Sequence, residues 1–217
     1  MANDFNRNHE KHKRNEILRA ARKLFMDKGY RSTSVREIVR EAGTSMGNLY
    51  FHFRNKSEIL KEISKEFVDI LRKQIHEVHD MGFSPEIGFA LDFRIGYLTT
   101  LEDPKLSRLW LVVRNTPEIH QYSLENKRIR LKSFFADRIP DEELHPLATA
   151  IQGIADSFFE QKKSGRLKGN DGVLSNTIID YSLRLMGYSR AEIRHAISEV
   201  EKYIAQKHIE ADAYFYF

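Results

Sequence analysis

The sequence predicts an all-α protein in two parts: an N-terminal three-helix unit built on a helix-turn-helix, and a larger helical domain after it. Three observations predict this. Apolar residues recur at i, i+3, i+4 and i+7 through most of the 217 residues, and no stretch alternates as a strand does. Residues 34–53 hold two short helical patterns around a tight turn at Ala42, Gly43 and Thr44. Charge is uneven: residues 1–62 hold 14 Lys and Arg against 8 Asp and Glu, and the other 155 hold 21 against 23. The expected division is 1–56 for a DNA-binding unit with a basic arm and 57–217 for the remainder.

The elements follow in order. Residues 1–14 are polar and basic and read as a flexible arm. Its His9, Lys11, His12, Lys13 and Arg14 either reach phosphates and a minor groove or stay solvated. Ile17, Leu18, Ala21, Leu24 and Phe25 make one apolar helix face, and Lys28 with Gly29 ends that helix. Ser34 and Glu37 have capping-box spacing and start the second helix, with Val35, Ile38 and Val39 inward. Ala42 permits close approach, and Gly43 can take the left-handed turn. Thr44 or Ser45 caps the third helix, whose core side is Leu49 and Phe53, with Met46 beside them.

Ser57 is the expected cap of a fourth helix over 57–79, with Ile59, Leu60, Ile63, Phe67, Leu71, Ile75 and Val78 on one stripe. Ser84, Pro85 and Glu86 start a helix that is apolar nearly all round. Asp103 with Pro104 opens a short helix through Trp110, and Thr116 with Pro117 a longer one to near Arg138. Pro140 breaks the chain, and a helix follows from Glu142 or Pro146 to Lys163. A polar, glycine-rich loop at 165–172 leads to a helix capped by Asp171 and running to Met186. Ser189 and Glu192 form a second capping box, which opens a last helix to near His208.

A helix-turn-helix on a basic unit points to double-stranded DNA, because phosphates attract such a unit through counterion release. Thr44, Ser45, Asn48, Tyr50 and His52 have no core to enter, and hydroxyls, an amide and a phenol suit base edges and phosphates. The candidate DNA contacts are therefore Ser34, Thr44, Ser45, Met46, Asn48, Tyr50, His52 and Lys56.

The run GTSMGNLYFHFRNKSEIL at 43–60 resembles the signature of the TetR family of bacterial transcriptional repressors. The family pattern is Gly, a small residue, Gly, Leu-Tyr, an aromatic, His-Phe, Lys and Leu. The upstream ILRAARKLF at 17–25 and GYRSTSV at 29–35 match as well. Asn48 departs from the small hydroxyl or other polar residue that many members carry, a difference that concerns which DNA is read. The resemblance covers under a quarter of the chain. It implies a symmetric dimer whose last two major helices form a four-helix bundle, matched to half-sites about 34–36 Å apart or multiples of it. The helices at 145–163 and 173–186 would supply Ala148, Ile151, Ile154, Ala155, Phe158, Ile178 and Leu185 to that interface.

The middle of the chain is crowded with aromatics, and these either line an apolar effector pocket or fill an ordinary core. The candidate effector set is Phe89, Phe93, Tyr97, Trp110, Asn115, Phe134, Gln152 and Asp156, with Arg94 as a further polar group. Asp156 could meet a ligand, Arg94 or a partner subunit. The expected function is a transcriptional regulator, a repressor released from its operator by a small apolar effector. The competing function is a protein of the same fold acting through protein contacts, as nucleoid-associated regulators do, with no effector.

Other chemistry is weakly represented. There is no cysteine, so disulfides and thiolate metal sites are excluded. His76 and His79 alone are a thin metal site. No phosphate loop, nucleophile elbow or zinc-protease motif occurs, so no enzyme, metal or cofactor is expected. No apolar run is long enough to span a membrane and the N-terminus has no signal-like core, so the expected location is cytoplasmic.

Overall fold

The computed structural model describes residues 2–102, 107, 110, 112 and 114–207. Among them the regular structure is helical: α1 (Ala2–Lys28), α2 (Val35–Glu41), α3 (Met46–His52), α4 (Lys56–Asp80), α5 (Pro85–Glu102), α6 (Pro117–Phe135), α7 (Asp141–Lys163), α8 (Asp171–Leu185) and α9 (Arg190–Lys207). The short helix expected at 103–110 lies mostly outside the described residues. So do the tail beyond Lys207 and the side chains of Leu71, Ile75, His76 and His79.

Contacts divide the chain into two bodies, one of Met1–Phe67 with Lys105–Ile119 and one of Val68–Pro104 with His120–Phe217. The first is built on one core. Ile17, Leu18, Ala21 and Phe25 of α1 meet Ile38 of α2, Leu49 of α3 with Phe53 just beyond it, and Ile59, Leu60 and Ile63 of α4. Each large side chain buried here contributes roughly 1.5–3 kcal/mol. Gly43 makes the α2–α3 turn at φ +60°, a conformation that costs other residues energy.

The starts of these helices differ in part from expectation. The arm is helical: α1 begins at Ala2, and no Gly or Pro interrupts it. Its bases are engaged within the chain. Lys13 lies 2.9 Å and His12 3.3 Å from Glu16, while Arg14 pairs with Glu62 and stands 5.1 Å over the Phe53 ring. The cap of α4 is Asn55 instead of Ser57, its Oδ1 accepting from Glu58 N at 2.9 Å. At α8 the cap is Asn170 instead of Asp171, accepting from Gly172 N at 2.7 Å. Ser34 and Ser189 cap as their spacing requires. Pro146 sits inside α7, which starts after Pro140.

The second body is organised around α5. That helix packs against α8 and α9 and buries Ile87, Phe89, Ala90, Leu91, Ile95 and Tyr97. A Cβ on Gly88 would lie 2.7 Å from Phe134 Cε1, so the glycine is what lets that ring lie on α5. Arg94, 5% exposed, joins three helices: Nη1 donates at 2.7 Å to Gly172 O, Ser175 Oγ and Asn176 Oδ1, and Nη2 meets Glu201 at 2.9 Å. Its partner is therefore Glu201 of α9, whereas Asp156 takes a 2.6 Å hydrogen bond from Gln152 Nε2.

Candidate functional site

In the first body, α3 turns Leu49 inward and leaves Ser45, Met46, Gly47, Tyr50 and Phe51 exposed, with Thr44, Asn48 and His52 half-buried. Ser45 Oγ accepts from Asn48 N at 3.1 Å, which satisfies a first-turn amide. Asn48 Nδ2 donates to Thr44 Oγ1 at 2.7 Å. That bond uses one donor of the Asn48 amide and fixes its plane. Met46, expected beside the core, is instead 38% exposed, because Leu49 and Phe53 already fill the seam against α1 and α4.

Around this face Arg31, Arg36, Arg40 and Arg54 are exposed. Ser34 faces solvent, but its hydroxyl is taken by Glu37, accepting from Glu37 N at 3.3 Å and donating to Oε2 at 2.8 Å. Lys56 is placed less freely than its sequence position suggests. Its ammonium donates to Tyr30 O at 2.9 Å and Thr33 O at 2.7 Å and stands 4.3 Å over the Tyr30 ring. Burial pushes its pKa down, opposed by the Glu37 charge. The pKa of His52 is also lowered, by burial and then by the charge of Arg14. Sequence reasoning passed over Phe51, which is 70% exposed two residues after buried Leu49. Its helical phase, nearly opposite Leu49, carried that signal.

In the second body Phe89, Phe93, Tyr97 and Phe134 come together. Phe89 and Phe93 are 6.3 Å apart, and Phe93 stacks on Tyr97 at 5.7 Å. Trp110 and Asn115 belong to the first body. Gln152 and Asp156 bond to each other on α7. Two groups missed by the sequence reading lie here. Asp92 is 4% exposed and pairs with Arg130, and Lys127 sends its ammonium to the face of Phe93, 5.9 Å from the centroid. Lys127 shares a helix face with Leu124, Leu131 and Phe134 by its spacing.

The expected interface residues separate into two groups. Ala148, Ile151 and Ile178 are fully buried and Ala155 is 7% exposed, all within a single chain. These four side chains pack inside the chain and leave little surface of their own for a partner. Ile154 and Phe158 are half-buried, and Leu185 is 54% exposed. Leu185 stands in line with exposed Val173 and Tyr181 on one face of α8. Among the described residues, no helix is long and apolar enough to cross a membrane, and no three potential metal ligands meet.

Comparison with known proteins bears on the α1–α4 segment most directly. Residues 17–63 match the model of bacterial regulatory proteins of the tetR family. The chain is similar to the transcriptional repressor KstR2 of Mycolicibacterium smegmatis, 36% identical over 73 residues, covering 34% of this chain and 36% of that protein. It is also similar to the uncharacterized regulator YuxN of Bacillus subtilis, 30% identical over 159 residues, covering 69% of this chain and 55% of that one. The matches thus span between about a third and about half the length of these relatives. The fold is shared with the crystal structure of RolR in complex with resorcinol, with a TM-score of 0.71, 18% identity, and coverage of 88% of this chain and 95% of that one. A helix-turn-helix on a three-helix head, the matched segment and these helix-turn-helix regulators among the relatives agree, and the chain belongs to the TetR family of bacterial regulatory proteins.

Proposed function

We propose that this protein is a sequence-specific DNA-binding transcriptional regulator, a repressor that binds its operator as a homodimer and is released by a small, largely apolar effector. One observation carries the DNA reading: α3 turns Thr44, Ser45, Asn48, Tyr50 and His52 away from the core, on a body rimmed by exposed arginines. A short helix of this kind fits a major groove, where Asn48 can pair with a base edge and the arginines with phosphates. The name repressor is borne by KstR2, to which the head is similar. For the effector, the support is the aromatic cluster of the second body with polar groups at its edges. RolR has been solved with resorcinol, so a chain of this fold can hold a small aromatic molecule.

The test begins with selection of binding sites from random duplex DNA by the purified protein, followed by titration of the selected site. Asn48→Ala should lose about 1–3 kcal/mol of preference at one base pair while binding random DNA as before. An equal loss on selected and random DNA would remove Asn48 from base reading. An effector should lower operator affinity about 5- to 150-fold.

A further inference from the structure

The second body holds donors and acceptors that do not satisfy one another. Lys127 of α6 directs its ammonium at the Phe93 ring, and no acceptor among the described residues is hydrogen-bonded to it. The two carboxylates near it are already engaged, Asp92 by Arg130 and Asp156 by Gln152. Phe93 stacks on Tyr97, which is 7% exposed, and the Tyr97 hydroxyl is buried with no hydrogen-bond partner. Asp92 Oδ1 is likewise buried and unpartnered. Buried polar groups are nearly always paired, because an unmade hydrogen bond costs more than a made one gains. The Tyr97 hydroxyl and Asp92 Oδ1 are two such groups, and the half-buried Lys127 is a charge with no hydrogen bond to another described residue. Burial pushes the Lys127 pKa down to about 8, with Arg130 adding to the effect and Asp156 and Asp92 opposing it.

We infer that the effector is an amphiphilic anion, a carboxylate or phenolate on an apolar body, with its charged oxygen on Lys127 Nζ and its apolar part against Phe89 and Phe93. This rests on the ligand-responsive reading and names the chemistry of its ligand. An anion is preferred to a cation because Asp92 is paired with Arg130 and Asp156 takes a hydrogen bond from Gln152, whereas the Lys127 ammonium is hydrogen-bonded to no described residue. A charge-assisted hydrogen bond is also about twice as strong as a neutral one. The Tyr97 hydroxyl supplies a second donor to an oxygen of the ligand, and Asp92 Oδ1 can accept from a hydroxyl on it.

The test uses equilibrium dialysis of the full chain against two matched pairs of probes, decanoate with decanol and phenylbutyrate with phenylbutanol. In the wild type at least one acid should bind about tenfold or more tighter than its alcohol. Lys127→Met should bring that acid to the affinity of the alcohol and leave the alcohol unchanged, and Lys127→Arg should keep the preference. Circular dichroism of each variant establishes that it is folded. If the alcohols bind as well as the acids, the anion is refuted while an apolar effector stands. A preference that survives Lys127→Met refutes Lys127 as its anchor. If none of the four probes binds, both the anion and the effector reading fall.

Discussion

Lys127 weighs against the stability of the unliganded chain. Its folded pKa of about 8 lies below the ordinary 10.5, so the folded state disfavours the proton that the unfolded state keeps. The destabilisation is complete below about pH 8 and is relieved as pH rises towards 10.5. At pH 7 Lys127→Met should therefore be more stable than wild type. Urea denaturation of both proteins at pH 7 and near pH 10 reads the difference, which should shrink at the higher pH. A gap that stays constant or grows would mean the ammonium is not buried in this way. Lys127 also shows where residue-level reading of the sequence stops. It lies in the run NKRIR at 126–130, and charge runs ordinarily face solvent. Helical phase placed it inward, but phase against charge is decided only once neighbouring helices are in place. For Arg94 the polar role was visible, yet its partner Glu201 is 107 residues away. Nothing local in the sequence ranks that carboxylate above Asp156.

Among the elements, α2 owes its start to two residues, and that start is sensitive to acid. Ser34 and Glu37 cap each other, and Lys28 pairs with Glu37 from the end of α1. Lys28, then the Ser34 backbone and hydroxyl, holds the Glu37 carboxyl down at about 2. A depressed acid stabilises the fold above its ordinary value of 4.5 and loses that contribution as pH falls towards 2. Melting curves of wild type and Glu37→Gln should therefore converge between pH 4.5 and pH 2, with the variant less stable above that window. Parallel curves would show that Glu37 titrates no differently in the two states. Ser34→Ala should cost about 1 kcal/mol at neutral pH, as loss of an N-cap does. Both capping boxes were readable because each needs only two residues at fixed spacing. The starts of α4 and α8 were misplaced by one or two residues for a related reason. Asn55 and Ser57, and Asn170 and Asp171, offer competing cap oxygens within a turn, and only packing chooses between them. The helical arm was missed because residues 2–14 carry no apolar stripe, and their ion pairs became visible only in the folded chain.

For the molecule as a whole, the exposed face of α8 is where a second subunit would sit. Val173, Tyr181 and Leu185 are 61%, 45% and 54% exposed, and Tyr181 packs edge-on to Phe158. We expect a homodimer through this face. Leu185→Glu with Tyr181→Glu should give folded monomers, because a charge buried without a partner costs several kcal/mol. Sedimentation velocity at micromolar concentration decides: a monomeric wild type, or a dimer indifferent to both substitutions, rejects the face. The expectation that α7 and α8 dimerise comes from family resemblance. Ala148, Ile151 and Ile178 are buried within the chain, and in sequence small and apolar side chains look alike whether they pack within a chain or between chains.

The burial of α5 has a consequence in time. Ile87, Gly88, Phe89, Ala90, Leu91, Asp92, Arg94, Ile95 and Tyr97 are all buried, so the helix between 87 and 97 has scarcely any face on water. Its amides cannot meet solvent by fraying and must wait until the second body opens as a unit. In deuterium they should be among the slowest to exchange, while those of solvent-facing α3 exchange through small local openings. The α5 amides are thus a clock for the opening of the second body. A molecule held against Phe89 and Phe93 at a hundred times its Kd should slow that clock about a hundredfold. Exchange in α5 as fast as in α3 would mean that the second body does not open cooperatively.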